Sequence, residues 1–153
     1  RPALAADAHC LLARCKHAKG DMAAAEAHYK QACELAEPIM KELKNGAASG
    51  SGASRSGRSG TSGSSPAVST SALHAALPAT MGLMHYGLAQ MHLQRGDQKG
   101  ASVQLEKALV CHPYGVKNVH TMLGHVQSSL GKYTRAIEHL RESLRDVSGE
   151  SRV

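Results

Sequence analysis

Apolar side chains recur at helical spacing through most of the chain. Between Leu4 and Ala18, the residues Ala8, Leu11, Leu12 and Cys15 stand at i, i+3, i+4 and i+7. That spacing predicts an amphipathic helix with this stripe as its apolar face. Gly20-Asp21 interrupts the pattern, and the Asp21 carboxylate is placed to cap a second helix starting at Met22. On that helix Ala25, Tyr29, Ala32 and Cys33 share a face. Pro38 has no N–H to donate, so it should end or kink the helix, with Ile39 to Lys44 as a further turn.

The same pattern returns twice. Pro78 suits the first turn of a helix carrying Met84, Leu88, Met91 and Leu93. Gly96-Asp97 breaks it, and Ala101, Leu105, Ala108 and Leu109 mark the next helix, which Pro113 should stop. A third pair runs from about Lys117 to Leu130 and, after Gly131, from Thr134 to about Val147. Six helices in three hairpins are expected, an all-α fold.

One stretch breaks the rhythm. From Asn45 to Ser71, sixteen of 27 residues are Gly or Ser, with no acid among them. Such a segment cannot bury enough apolar area to offset the entropy of ordering it, so a flexible insert is expected over residues 45–76. The hairpins then fall at residues 3–44, 77–116 and 117–147.

Aligned on Gly20, Gly96 and Gly131, the hairpins share a register. Eight residues before each glycine stand Leu12, Leu88 and Leu123, each followed by a small residue, Ala13, Ala89 or Gly124. Five after come Ala25, Ala101 and Ala136; nine after, Tyr29, Leu105 and Leu140; twelve after, Ala32, Ala108 and Ser143. Gly96 and Gly131 are 35 residues apart, and the longer gap from Gly20 to Gly96 is one such unit plus the insert. This pattern resembles the tetratricopeptide repeat (TPR), a helix–turn–helix unit of about 34 residues. The resemblance implies an α-solenoid, because no single hairpin can bury its apolar face and neighbours must stack. The chain departs from the family where His9, His85 and His120 replace an aromatic residue, and where Lys16, His92 and Gln127 replace tyrosine. The first and third units also lack the terminal proline.

Parts of residues 7–36 and 77–140 are further similar to the large TPR scaffold subunits of the RNA polymerase II–associated factor (Paf) complex. The similarity rests on Tyr29-Lys30-Gln31-Ala32, Leu77-Pro78, Gly87-Leu88-Ala89-Gln90-Met91, Arg95-Gly96-Asp97, His112-Pro113 and Leu123-Gly124. The Gly/Ser insert departs from that family, whose repeats are joined there by a short connection. The resemblance implies a nuclear scaffold in transcription elongation and histone modification, with other Paf-complex subunits as partners.

Composition narrows the chemistry. Aromatic residues make up only 3% of the chain, with no Phe or Trp, so Ala, Leu and Met must fill the core. Met81, Met84, Met91 and Met122 read as such filler. No run approaches the ~20 apolar residues of a membrane-spanning helix. The chain opens on Arg1-Pro2 without a signal-peptide pattern and reads as a piece of something longer. The net charge of +6 is spread thinly, with no basic run of the kind that binds nucleic acid or lipid.

Ten histidines and four cysteines invite a metal or catalytic reading. Yet Cys10, Cys15 and His17 form at most half of a zinc-type ligand set, and His9, His85 and His120 share one repeat position, which favours a packing role. No nucleophile elbow or phosphate-binding glycine loop occurs. Neither catalysis nor a metal or other cofactor is expected, and the cysteines should be reduced thiols.

The TPR resemblance implies a partner-binding groove lined by the first helix of each hairpin. Its positions fall on Asp7, Cys10, Arg14 and His17, then Leu83, Tyr86, Gln90 and Leu93, then Asn118, Thr121, His125 and Ser128. This mixed, weakly charged surface suits an extended or helical protein segment. A chaperone-binding TPR module would need carboxylate-gripping side chains at Asp7, Leu11, Leu83, Gly87, Asn118 and Met122, and only Asn118 qualifies. A TPR region appended to an enzyme outside these residues is the remaining alternative.

Overall fold

A computed structural model describes residues 1–49, 70–111 and 118–148. They form six helices, α1 (Pro2–Ala18), α2 (Met22–Ser49), α3 (Thr70–Gln94), α4 (Gln98–Cys111), α5 (Val119–Ser129) and α6 (Tyr133–Ser148). Consecutive helices pair as α1–α2, α3–α4 and α5–α6, and the hairpins stack through α2–α3, α1–α3 and α4–α5. Among the described residues there is no strand. The fold is the all-α helical-repeat stack that the periodicity predicts.

Each hairpin turns on a glycine in the left-handed region, Gly20 at φ +83°, Gly96 at +77° and Gly131 at +75°. The hydrogen bonds repeat residue for residue. Gly20 N–H donates to the His17 carbonyl and Asp21 N–H to that of Lys16, and the same pair of bonds recurs at Gly96-Asp97 and Gly131-Lys132. This closure satisfies carbonyls that the end of a helix leaves unpaired, and it requires a residue free of Cβ strain at its centre. The following residue then starts the next helix. Asp21 Oδ1 accepts from Ala24 N–H at 3.3 Å, and Asp97 Oδ1 from Gly100 N–H at 2.9 Å. The third turn has Lys132 at this position, whose ammonium cannot accept a hydrogen bond. Lys132→Asp is therefore expected to stabilise the chain by about 0.5–2 kcal/mol, the worth of an N-cap, read as a higher midpoint in thermal unfolding.

Two helices run further than their prolines predict. α2 continues through Pro38 to Ser49, and α3 starts at Thr70 and passes Pro78. The cost of a missing N–H is outweighed because Ala36 and Ile39 on one side, and Leu77 and Met81 on the other, are buried in the same core. The insert expected over residues 45–76 is thus helical at both ends, while its central part, 50–69, lies outside the described residues. So does Pro113; α4 ends at Cys111.

The first helix corrects the sequence reading most. Its buried side chains are Ala3, Ala6, Cys10 and Ala13, whereas the expected stripe is open, with Leu11 51% and Leu12 46% exposed. The reason is what packs on it: among the described residues α1 packs chiefly on α2 and α3, and the face that α3 and α5 turn towards a preceding hairpin is left open.

The interior is built from small residues. Ala6, Ala13, Ala25, Ala32, Ala101 and Ala108 are fully buried, and they let the backbones of paired helices approach closely. One core joins α1, α2 and α3; a second joins Ala89 of α3, Ala101 and Leu105 of α4, and Val119, Leu123 and Val126 of α5. Glu26 on α2 links the first two hairpins, accepting from Arg95 beyond the end of α3 and pairing with Lys30 at 2.8 Å. These two cations hold its carboxyl down at about 2.

Candidate interaction groove

The first helices of hairpins one and two, α1 and α3, lie side by side with Tyr29 of α2 wedged beneath them. Tyr29 is the largest fully buried side chain, and burial pushes its phenol up to about 12. It fits because α3 carries glycine at residue 87: a Cβ there would stand 2.3 Å from Cζ of the ring. Tyr29 and Gly87 form the floor of a cavity of about 480 Å³, whose walls are Arg14, His17 and Ala18 of α1 and Leu83, Tyr86 and Gln90 of α3.

Five of the twelve groove positions expected from the repeat register, Arg14, His17, Leu83, Tyr86 and Gln90, therefore line one cavity. The others stand elsewhere. Cys10 is buried in the core, where desolvation pushes its thiol up to about 11, so it presents nothing to a partner. Leu93 packs on the second core, and Asp7 is half-buried outside the cavity. On the third hairpin, Asn118 is exposed in a left-handed conformation, His125 and Ser128 are exposed, and the Thr121 hydroxyl pairs with Ser143 Oγ of α6. Tyr29, Gly87 and Ala18 are groove residues that the register does not assign. The available signal was the glycine inside an otherwise apolar helix, which marks a close approach.

A second cavity, of 650 Å³, opens between α2, α3 and α4. Met40, Met81, Val103, Val110 and Cys111 give it an apolar lining, with Lys41, Lys44 and Lys107 and the carboxylates of Glu37 and Glu106 beside them. The sequence reading has no counterpart for it: of these residues it assigns only Met81, and that as core filler.

The histidines are placed by the register. At the position where the repeat usually carries an aromatic residue, His9 Nδ1 lies 3.0 Å from His28 Nδ1 and His120 Nδ1 lies 3.2 Å from His139 Nδ1. His85 Nδ1 lies 2.8 Å from Gln104 Oε1. Each pair ties the first helix of a hairpin to the second. A bridge between two imidazoles needs one N–H donor and one neutral acceptor, so it cannot survive protonation of both rings. Burial lowers the pKa of His85, and burial with the nearby His120 lowers that of His139, against the opposing pull of Glu106 and Glu138. The unfolded chain then takes up protons more readily than the folded one. Stability is thus complete above the ordinary value of 6.5 and falls as pH drops below it. The thermal midpoint is expected to fall between pH 7 and about 5.5, and His85→Gln with His139→Gln should flatten that dependence.

Other titratable groups are quiet chemically. Burial raises the thiols of Cys33, to about 12, and Cys111, which keeps both protonated and unreactive at neutral pH. Among the described residues no three His, Cys, Asp or Glu side chains converge in a way that could hold a metal ion, and no helix is long and apolar enough to cross a membrane.

Comparison with protein families agrees with this geometry. The tetratricopeptide repeat model matches residues 6–38 and 118–145, the bulk of the first and third hairpins. The middle hairpin, which that model does not match, has the same turn and the same helix-to-helix contacts. No curated protein and no solved structure matches the chain. The molecule is a stack of helical hairpins, the first and third of which match the tetratricopeptide repeat, a repeat found in protein–protein interaction scaffolds.

Proposed function

We propose that the chain is a protein-binding scaffold whose α1–α3 groove holds an extended or helical segment of a partner protein. The observation that carries this reading is the groove itself. Arg14, His17, Tyr86 and Gln90 offer polar and aromatic contacts around a floor of Tyr29 and Gly87, and Leu83 adds an apolar wall. One cation among neutral donors and acceptors fits a segment of mixed character better than a highly charged tail.

We further propose, on the sequence similarity alone, that the scaffold is part of the large TPR subunit of a Paf complex. Its partners would then be other Paf-complex subunits, and its setting the nucleus, in RNA polymerase II transcription elongation and histone modification. The motifs that support this are Leu77-Pro78, Gly87-Leu88-Ala89-Gln90-Met91 and Arg95-Gly96-Asp97. Affinity purification of the full-length protein tests both levels. Recovery of Paf-complex subunits, lost on Arg14→Glu with Tyr86→Ala while the helical circular dichroism is kept, is the expected result. Recovery of an unrelated set of proteins by the same groove would overturn the Paf assignment only. Undiminished recovery with both substitutions in place would remove the groove from the binding surface.

A further inference from the structure

The floor of the α1–α3 groove holds a polar atom that the fold leaves without a partner. Tyr29 is 2% exposed, and the hydroxyl end of its ring lies against Gly87 at the bottom of the cavity. Among the described residues that hydroxyl makes no hydrogen bond, whereas a buried phenol ordinarily finds one. Burial that pushes the phenol up to about 12 keeps its proton in place, so the group stands ready as a donor. Arg14 is close enough to draw the phenol's pKa down against that burial, and it makes no ion pair among the described residues. Tyr86 and Gln90 add polar ends to the wall, and no Asp or Glu is among the residues that line the cavity.

We propose that this floor is a seat for one carboxylate, an Asp or Glu side chain of the partner segment, whose oxygens accept from the Tyr29 hydroxyl and pair with the Arg14 guanidinium. The seat rests on the reading of the groove as the site of a protein segment. Charge complementarity supports this occupant. A neutral donor beside an unpaired cation favours an anion with two acceptor oxygens over an amide or a second cation. A carboxylate at the end of a partner chain is the poorer candidate, since of the six positions that would grip one only Asn118 carries a suitable side chain. The two donors come from both helices of the first hairpin, Arg14 from α1 and Tyr29 from α2, so the packing of that hairpin fixes their spacing. Tyr29 thereby serves twice: its ring fills the core and its hydroxyl reads the partner.

Selection of short random peptides by the full 153-residue chain tests the proposal, with their ends acetylated and amidated and with phosphoserine among the building blocks. The expected result is an Asp or Glu at a constant place in the selected peptides. Its replacement by Asn or Gln should weaken binding about 10-fold or more, the worth of a hydrogen bond to a charged group. Tyr29→Phe removes the hydroxyl alone. Because that hydroxyl bonds nothing within the chain, the thermal midpoint should be kept. The acidic peptides should nevertheless bind this variant about 10-fold more weakly, and the advantage of acid over amide should shrink. Peptides that lose affinity with Arg14→Glu and Tyr86→Ala yet carry no acid would overturn the carboxylate seat and leave the groove reading standing. Phosphoserine at the constant place does the same in favour of a phosphate, and acidic peptides that bind the Tyr29→Phe chain undiminished also overturn the seat. A chain that selects no peptide, or only peptides indifferent to Arg14→Glu and Tyr86→Ala, overturns the groove reading itself and the seat with it.

Discussion

Tyr29→Ala is expected to destabilise the chain by about 3–5 kcal/mol, the cost of deleting a large buried ring. Tyr29 is 2% exposed and belongs to the core that joins α1, α2 and α3, so its loss leaves a void that three helices would have to close. The sharper outcome concerns Gly87. In the native chain Gly87→Ala sets a Cβ at 2.3 Å from Cζ and 2.5 Å from Oη of Tyr29. Overpacking of this kind costs about 1–3 kcal/mol, while alanine returns about 1 kcal/mol of helix propensity. The substitution is therefore net destabilising. In the Tyr29→Ala background the clash is gone and only the propensity gain is left, so the same change should stabilise by about 1 kcal/mol. A reversal of sign in the double-mutant cycle, followed by chemical denaturation, is what close packing of these two residues demands. Additive effects would mean that the ring and the helix are not in contact.

Much of the fold is legible in the sequence because the turns depend on local chemistry. A glycine followed by aspartate closes one helix and caps the next, and neither step needs a distant residue. The spacing of Gly20, Gly96 and Gly131 then places Ala25, Ala101 and Ala136 at equivalent contacts, and all three are buried. Prolines were misleading for a related reason. Pro38 and Pro78 each remove one backbone bond, a local loss, but Ile39 and Leu77 are buried in the same core, a gain that no local rule contains.

The groove was readable where the register alone decides which way a side chain points. Arg14, His17, Tyr86 and Gln90 fall in that class, with Leu83. Cys10 fails because a small side chain one turn away sinks into the contact with the second helix, and its register position does not state its depth. Tyr29 was placed as core, and it is; that it also floors the groove follows only from the absence of a side chain at Gly87 across the seam. The second cavity escaped because Val103 and Val110 sit on a face of α4 that stays largely exposed, and only the fold shows α2 supplying the opposite wall.

Register is nevertheless a weaker guide than burial, and one comparison measures by how much. Leu12, Leu88 and Leu123 stand at the same repeat position, yet Leu123 is 0% exposed and Leu12 46%. Leu123→Ala is expected to cost about 2–5 kcal/mol, the range for truncating a buried leucine. Leu12→Ala in the isolated, monomeric chain should cost about 0.5 kcal/mol or less, as other exposed substitutions do. Thermal unfolding of both variants at the lowest usable concentration makes the comparison. Similar losses at the two positions would mean that α1 is covered in the single chain and that the end of the stack is closed. The energetic meaning of a repeat position is set by whether a neighbouring hairpin is present to cover it.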